Sequence, residues 1–269
     1  MKSAKGNTNA SVTNKKKAPA TTAAVGGGQY NNAMVELLAN PYTYSHTNCS
    51  VKREIQIHQF FEFGIGGVLW DCGLMLGKYI THPHNMNRWA GKVVVEVGTG
   101  TGLPALLCWQ LGAKAIATDL GEVVEAVTNP NVAINLAAAP KAMRKSLSTA
   151  EVRWGEDEDC ARLLQSPPVL ENKGVIDFII AADVVYRSED HAKLLRTLDL
   201  LASDKTCVIF VHRPRNSNDS NFCQPLREMF IPTKTVPGTD YLTAYPKGGT
   251  TINEFQGRQT APKPSEEGE

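Results

Sequence analysis

One segment near residue 95 constrains the fold of this chain more than any other. Residues 93–97 read VVVEV, residues 98–102 read GTGTG, and a helical pattern follows over 103–111. An apolar, β-branched run of this kind predicts a buried strand of a parallel sheet. Glycines in the following turn let backbone amides approach a ligand at the positively polarised start of a helix. The segment therefore predicts a strand, a turn and a helix that together bind a nucleotide-like ligand.

The spacing of the glycines separates two classes of cofactor. The dinucleotide pattern G-x-G-x-x-G needs a third glycine that packs the helix against the strand. Leu103 stands at that position. Read from Glu96 as E-x-G-x-G-x-G, the loop instead resembles the pattern of S-adenosylmethionine-dependent methyltransferases. A tight turn that binds no ligand is the alternative, and the flanking sequence has to decide between the two.

A carboxylate follows the next predicted strand. Residues 113–118 form a short, mostly apolar run that ends at Asp119, 19 residues after Gly100. In an open α/β sheet, a carboxylate at this place can accept both hydroxyl hydrogens of a ribose. It can also cap the helix predicted over 121–137. We favour the ribose role, and both roles can hold together.

Composition excludes several classes of protein. The chain has 269 residues and a formal net charge of +1, so no global field favours nucleic acid or an anionic membrane as a partner. No apolar stretch is long enough to span a bilayer. None of the six cysteines forms a C-x-x-C pair, and no cluster of His, Cys and carboxylates has ligand spacing. We therefore expect no disulfide framework and no metal, and we expect a monomeric cytoplasmic protein.

The two ends differ from the middle of the chain. Residues 1–29 contain no acidic residue and are rich in Ala, Thr, Asn, Lys and Gly, which predicts a disordered tail. Lys15–Lys17 would allow a nuclear location as well, although three lysines more often belong to a solvated tail. We expect one domain over 30–255 and a second polar tail over 256–269.

Between these tails, strands alternate with helices. An exposed strand at 53–59 and a helix at 70–80 come first. Strands are then predicted at 93–97, 114–118, 151–154, 175–182 and 206–211, separated by helices at 103–111, 121–137, 157–165 and 188–202. Weak strands follow at 241–245 and 250–255. The alternation predicts an α/β fold with a doubly wound, Rossmann-like, mostly parallel sheet.

Chemically informative residues follow the predicted strands. They are residues 96–100, Asp119, Trp154 and residues 182–186, each at or just beyond the carboxyl end of a strand. Ligands of doubly wound sheets bind beyond these ends, at the point where the strand order reverses. We therefore expect segments that are far apart in sequence to form one cleft.

Several motifs together resemble one enzyme family. They are GVLWD at 67–71, VEVGTGTGL at 95–103, TDL at 118–120, the segment 131–135, Trp154 and DVVY at 183–186. In this order they are similar to the seven-β-strand protein lysine methyltransferases of the small non-histone group. The resemblance runs from about Ile55 to Phe230. It implies a seven-stranded class I methyltransferase sheet, S-adenosyl-L-methionine as cofactor, and a chaperone, elongation factor or ATPase as protein substrate.

The resemblance also implies which residues bind the cofactor. They are Trp70, Glu96, Gly98, Thr99, Gly100, Asp119, Trp154 and Ala182. Trp70 would line the methionine and substrate side, the glycine loop would lie beneath the methionine and ribose, and Trp154 would lie against the adenine. Glu96 would act as an indirect partner of the cofactor amino group. The alternatives are a core anchor for Trp70 and a core cap for Trp154.

Asp183 and Tyr186 carry the chemistry in this interpretation. A lysine amine attacks only when neutral, and its ordinary pKa is about 10.4. An apolar channel lowers that pKa by desolvation, whereas a carboxylate beside the ammonium raises it. We therefore expect Asp183 to orient the target nitrogen rather than act as a strong base. Tyr186 is expected to wall the lysine channel and donate a hydrogen bond. The alternatives are a helix cap for Asp183 and ordinary packing for Tyr186.

Other functions compete with this one. A methyltransferase for a protein N-terminus, a histidine or a small amine would share the cofactor cleft. A non-catalytic, methyltransferase-like interaction protein would retain the cleft, and an oxidoreductase is disfavoured by Leu103.

Two segments depart from the family pattern. Residues 231–259 are rich in Pro, Gly and Thr, so the last strand pair is expected to be irregular, displaced or incomplete. The basic connector at 138–148 is expected to be a solvated surface.

Overall fold

The computed structural model describes residues 39–48, 51–215, 219, 221–243 and 249–259. The tail expected over 1–29 lies outside these residues, as does most of the tail expected over 256–269. None of the helices within the described ranges is long and apolar enough to cross a membrane.

In the described part of the chain, nine strands form two sheets. They are β1 (Tyr42–Asn48), β2 (Val51–Ile57), β3 (Val93–Val97), β4 (Lys114–Asp119), β5 (Leu147–Glu151), β6 (Phe178–Ala182), β7 (Cys207–His212), β8 (Phe230–Pro237) and β9 (Thr251–Arg258). β1 and β2 pair as an antiparallel hairpin. The other seven strands form one sheet in the order β5-β4-β3-β6-β7-β9-β8. β5, β4, β3, β6 and β7 are parallel, and β9 is antiparallel to both of its neighbours. The predicted seven-stranded, mostly parallel sheet is confirmed.

Helices cover both faces of this sheet. They are α1 (Asp71–Thr81), α2 (Leu103–Gln110), α3 (Gly121–Val123), α4 (Asn129–Ala138), α5 (Asp157–Leu164), α6 (Pro167–Glu171), α7 (His191–Leu201) and α8 (Cys223–Met229). A π-helical turn, Val124–Thr128, joins α3 to α4, and a 3-10 segment, Phe61–Gly67, precedes α1.

The core has two parts, one on each face of the sheet. Val94 of β3 belongs to a cluster with α1, α2 and the hairpin, whereas Val93 and Val95 belong to a cluster with α5, α7 and α8. Because successive side chains of a strand point to opposite faces, both faces of β3 have to be apolar. The unbroken run of valines is therefore the consequence of a doubly covered sheet.

The third parallel strand was predicted in the wrong place. It was expected at 151–154 and lies at Leu147–Glu151, where the sequence is LSTAE. This strand is at the outer edge of the sheet and only its first residue, Leu147, is buried, so it has no apolar run. Val152, expected as its inward residue, is buried just after the strand ends. Part of the connector expected over 138–148 therefore belongs to β5.

The first strand of the last pair is also displaced from its prediction, whereas the strand expected at 250–255 is confirmed as β9. The strand expected at 241–245 is β8, at Phe230–Pro237, while β9 runs three residues beyond the expected domain boundary at 255. β8 contains Pro232 and Pro237, which are tolerated because it is the edge strand of the sheet. Its pairing with β9 shifts register near Ile231 and Pro232. The hairpin is irregular, as expected, but it completes the sheet.

Candidate active site

One cavity lies at the carboxyl ends of the parallel strands. Its volume is about 470 Å³. All ten predicted site residues line it, namely Trp70, Glu96, Gly98, Thr99, Gly100, Asp119, Trp154, Ala182, Asp183 and Tyr186. The structure thus brings together segments that are far apart in sequence, as the strand order requires. The chemical role of each residue stays a prediction.

The glycine loop leaves room that a side chain would fill. Gly98 has a φ of +69°, and a Cβ built on it would lie 2.6 Å from Val184 Cγ1 and 3.1 Å from Trp154 Cζ2. Both the backbone conformation and the contact therefore require glycine. The loop is held in place because Thr99 donates its amide to the carbonyl of Thr118 at 2.9 Å. The result is a rigid floor for the cavity, made of backbone.

Glu96 connects this loop to the helix that follows it. Its carboxylate is 2% exposed and accepts hydrogen bonds from Thr99 Oγ1 at 2.6 Å and from the Ala105 amide at 2.9 Å. Burial raises the pKa of Glu96 to about 8, against the effect of these two donors. Ala105 lies in the first turn of α2, so Glu96 satisfies one of the free amides there. Glu96 therefore supports the loop from beneath while it lines the cavity.

Asp119 is oriented by backbone amides. Its two carboxylate oxygens accept hydrogen bonds from the amides of Gly100 and Leu120, each at 2.8 Å. Burial raises its pKa, against the effect of these amides. Asp119 does not cap the helix that follows it, because the N-cap residue of α3 is Leu120 and no side chain caps that helix. Each carboxylate oxygen keeps a lone pair that can accept a ribose hydroxyl.

The two tryptophans differ in their surroundings. Trp70 is 40% exposed, and its indole donates to the carbonyl of Ile65 at 2.9 Å, so it is not a buried core anchor. Trp154 is half-buried and contacts both the core cluster near α5 and the space above Gly98. Trp154 thus lines the cavity, as expected, and also covers part of the core, which was the alternative.

Asp183 has a strained backbone and an incompletely satisfied side chain. Its φ is +60°, and Lys173 is the other non-glycine residue with a positive φ in the described part of the chain. The side chain is 4% exposed, and Oδ1 accepts a hydrogen bond from Arg215 Nη2 at 2.7 Å. Oδ2 is buried and has no hydrogen-bond partner among the described residues. Strain and an unpaired buried acceptor at one residue point to a ligand-binding role.

Tyr186 lies on the wall of the same cavity. Its side chain is half-buried, and burial raises the pKa of its hydroxyl. Within the described ranges no hydrogen bond to this hydroxyl is present. Ala182, the last residue of β6, also lines the cavity just before Asp183.

Sequence reasoning missed two arginines in the loop after β7. Arg215 lines the cavity and pairs with Asp183, and Arg213 pairs with Asp71 through Nη2 and Oδ1 at 2.6 Å. Their position at the carboxyl end of the fifth parallel strand is the signal that could have found them. Asp71, Cys72 and Asp183 form the one group of potential metal ligands found among the described residues. Because both carboxylates already pair with arginines, this group does not favour a cation.

Apolar side chains surround the mouth of the cavity. Four of the residues that line it have at least 40% of their surface exposed, namely Phe63, Ile65, Trp70 and Leu120. The segment that carries Phe63 and Ile65 lies over the glycine loop, since a Cβ on Gly100 would contact the carbonyl of Gly66 at 3.1 Å. An exposed apolar rim next to a polar cleft is typical of a surface that contacts another molecule.

Asn131 joins the hairpin to the glycine loop. Its amide nitrogen donates to the carbonyls of His58 and Thr101, both at 3.0 Å, and its oxygen accepts from the His58 amide at 2.7 Å. Asn135 makes the same paired hydrogen bonds with Gln56. These buried amides explain the segment 131–135 as a support for the cavity wall.

Comparisons with known proteins agree with this geometry. The profile of a family described as lysine methyltransferase matches residues 50–229, about two thirds of the chain. Protein N-lysine methyltransferase METTL21A of Danio rerio is 33% identical over 167 residues, which cover 62% of this chain and 69% of that protein. Protein N-lysine methyltransferase METTL21A of Mus musculus is 32% identical over 193 residues, 71% of this chain and 79% of that protein.

Among solved structures, magnesium protoporphyrin IX methyltransferase (ChlM) from Synechocystis PCC 6803 with bound SAM is 17% identical at a TM-score of 0.45. The match covers 67% of this chain and 76% of that one. The family profile and the two curated relatives confirm the resemblance drawn from the motifs. The chain therefore belongs to the lysine methyltransferase family, as an S-adenosylmethionine-dependent enzyme of the protein-lysine class.

Proposed function

We propose that Asp183 and Tyr186 receive a lysine side chain from a folded protein and orient its amine for methylation. The observation that carries this proposal is the unpaired Oδ2 of Asp183, a buried acceptor on the wall of the cavity formed by the glycine loop. Tyr186 lines the same cavity. The apolar rim at Phe63 and Ile65 supports a macromolecular substrate, because a small amine would not need so wide a contact surface.

The residues present fit S-adenosylmethionine. The absence of a side chain at Gly98 leaves a cradle between Val184 and Trp154, and Asp119 presents a fixed carboxylate beside Gly100. We propose that Asp119 binds the ribose hydroxyls and that Trp154 contacts the adenine. When bound, this cofactor supplies a methyl group made electrophilic by an adjacent sulfonium.

Proximity and orientation are what the protein contributes to such a displacement. The amine first loses its proton to solvent. With the cofactor bound, this amine would accept the methyl group through its nitrogen lone pair, and the electron pair of the S–C bond would remain with the sulfur. Asp183 can hold the amine by accepting one of its N–H groups through Oδ2, and Tyr186 can hold it by accepting the second N–H at its hydroxyl oxygen, which leaves the nitrogen lone pair free. Burial of both side chains favours the neutral amine by desolvation.

The substrate and location are proposed in the same way. We propose an acceptor of the chaperone, elongation factor or ATPase type, and an enzyme that acts as a monomer in the cytoplasm, with the nucleus as a second location. Five cysteines in the described part of the chain are free, and four of them are buried. Buried free thiols are in keeping with a reducing compartment.

Transfer of labelled methyl groups tests this proposal. The purified protein would be incubated with tritiated S-adenosylmethionine and a panel of purified chaperone ATPases and elongation factors. Acid hydrolysis and amino-acid analysis would then identify the methylated residue. We expect labelled N-methyl-lysine with the wild type and roughly 100-fold less, or none, with Asp183→Ala. Label in histidine or at an N-terminus, or no label on any acceptor, would contradict the proposal.

A further inference from the structure

Arg215 lies in the cleft beside Asp183, although none of the sequence motifs contains it. Its guanidinium lines the cavity and is 35% exposed, whereas its partner Asp183 is 4% exposed. Arg215 Nη2 donates to Asp183 Oδ1 at 2.7 Å, which leaves Oδ2 for another donor. The backbone amide of Arg215 donates to Asp219 Oδ2 at 3.1 Å and so anchors the loop after β7.

A lysine amine beside a lone buried carboxylate faces an electrostatic conflict. The carboxylate attracts the ammonium, but the same attraction favours its protonated form, which cannot attack. A second cation at the same carboxylate reduces this effect, because it offsets the negative charge that the amine experiences. Arg215 is the cation that hydrogen-bonds to Asp183 in this structure.

We propose that Arg215 is a positioning residue for the methyl transfer. It offsets the charge of Asp183, so that Oδ2 orients the target amine by hydrogen bonding without retaining the proton on that amine. This inference rests on the proposed function of Asp183 and extends it to a residue that the motifs do not contain.

The other charged and titratable groups around Asp183 do not replace Arg215. They are Asp71 and Cys72 from α1 and Arg213 from the loop after β7. Asp119 from the end of β4 and Tyr186 from the segment after β6 line the same cavity. Arg213 is paired with Asp71, which cancels most of its charge. Asp119 is bound to two backbone amides. Loss of Arg215 would therefore leave Asp183 without a hydrogen-bonded cation.

The dependence of kcat on pH tests this inference. The variants are Arg215→Gln, which removes the charge, and Arg215→Lys, which keeps it. The control is Arg196→Gln, since Arg196 is an exposed arginine whose partner is Asp157, away from the cavity. The acceptor is the protein of the panel that takes up most label, and kcat is measured between pH 6 and 9.5 because it reports the groups of the enzyme–substrate complex.

In Arg215→Gln we expect the rising limb of the kcat profile to move upward by about one pH unit, so that kcat at pH 7 falls roughly tenfold. KM for the acceptor should not increase. Arg215→Lys and Arg196→Gln should keep the wild-type profile. An unchanged profile in Arg215→Gln, or a higher KM with an unchanged profile, would overturn the inference and leave Arg215 as a structural or acceptor-binding residue.

A binding measurement tests the same charge effect without an acceptor. The probe is an analogue of S-adenosylhomocysteine in which a nitrogen atom replaces the sulfur and carries an aminoethyl group. Its affinity at pH 7 is compared with that of the same analogue carrying an ethyl group, which has no amine. The ratio of the two affinities reports how strongly the site retains an ammonium. We expect Arg215→Gln to raise this ratio roughly tenfold and to have no such effect in an Asp183→Asn background. An unchanged ratio, or an equal rise without Asp183, would refute the inference.

The two proposals fail in different ways. Absence of N-methyl-lysine with the wild type would refute the proposed function, whatever the ratio of analogue affinities. Lysine methylation by the wild type, with neither profile nor ratio changed in Arg215→Gln, would refute the inference alone. Circular dichroism of each variant shows whether it is folded, and Arg215→Lys supplies a charged variant at the same position.

Discussion

Gly98→Ala is the substitution whose cost the structure defines most clearly. Two effects add at this position. The first is the positive φ of +69°, which costs about 1–2 kcal/mol for a residue with a Cβ. The second is the new Cβ, 2.6 Å from Val184 Cγ1, and overpacking of this kind costs about 1–3 kcal/mol. We therefore expect the free energy of unfolding to fall by about 2–5 kcal/mol.

Gly91→Ala is the matched control for this experiment. Gly91 also has a positive φ, +75°, but a Cβ there would meet nothing within 4 Å. It should lose only the backbone contribution, about 1–2 kcal/mol. The difference between the two variants isolates the steric contact above the glycine loop.

Urea unfolding followed by circular dichroism measures both free energies. Titration with S-adenosylhomocysteine then measures cofactor binding, which should be impaired in Gly98→Ala and kept in Gly91→Ala. Equal stability losses in the two variants would refute the reasoning, because they would mean that the loop relaxes away from Val184 and Trp154. Normal cofactor binding by Gly98→Ala would refute the assignment of Gly98 to the cradle.

Other predictions concern individual carboxylates and the tyrosine. The pKa of Glu96 is raised to about 8, so the folded state retains a proton that the unfolded state releases near its ordinary pKa. Stability should therefore fall as pH rises towards 8, by up to about 1.4 kcal/mol per unit, and Glu96→Gln should remove this slope in urea titrations at pH 5.5, 6.5 and 7.5. Equal slopes would contradict this. Asp183→Ala and Tyr186→Phe should keep cofactor binding while the rate of lysine methylation falls, roughly 100-fold or more for Asp183→Ala and less for Tyr186→Phe. Loss of cofactor binding with a disturbed fold would contradict their assignment to the acceptor side.

The strongest sequence signals came from the centre of the sheet. Both ends of β3 were predicted correctly. The strand is buried on both faces, so its sequence is an apolar run interrupted only by Glu96. The glycine loop was recognised because positive φ values and close contacts restrict those positions to glycine. Once the order of strands and helices was known, the convergence of Asp119, Trp154 and Asp183 followed from the geometry of parallel strands.

The edges of the sheet were predicted less well. β5 is a polar edge strand, and β8 is an edge strand that contains prolines, so neither has the apolar signal of an inner strand. Both were misplaced because burial, rather than local preference, produces that signal. The exposure of Phe63 was not predictable for the same reason, since an apolar residue is assumed to be buried until its surroundings are known.

The Asp183–Arg215 pair was hidden for a different reason. The two residues are 32 positions apart, and no periodic pattern connects them. Their contact arises because β6 and β7 are neighbours in the sheet, so that the loops after these strands face each other. Sequence spacing alone contains no information on which loops will meet.

The central claim is that this cleft binds an S-adenosyl cofactor through Asp119. Calorimetric titration with S-adenosylhomocysteine tests it most directly, with Asp119→Ala as the comparison. Loss of two hydrogen bonds to a charged group, each worth about 1.5–3 kcal/mol, should weaken binding roughly 100-fold or more. We expect saturable binding to one site in the wild type and little or none in Asp119→Ala. No binding by the folded wild type, or equal binding by the folded variant, would contradict it.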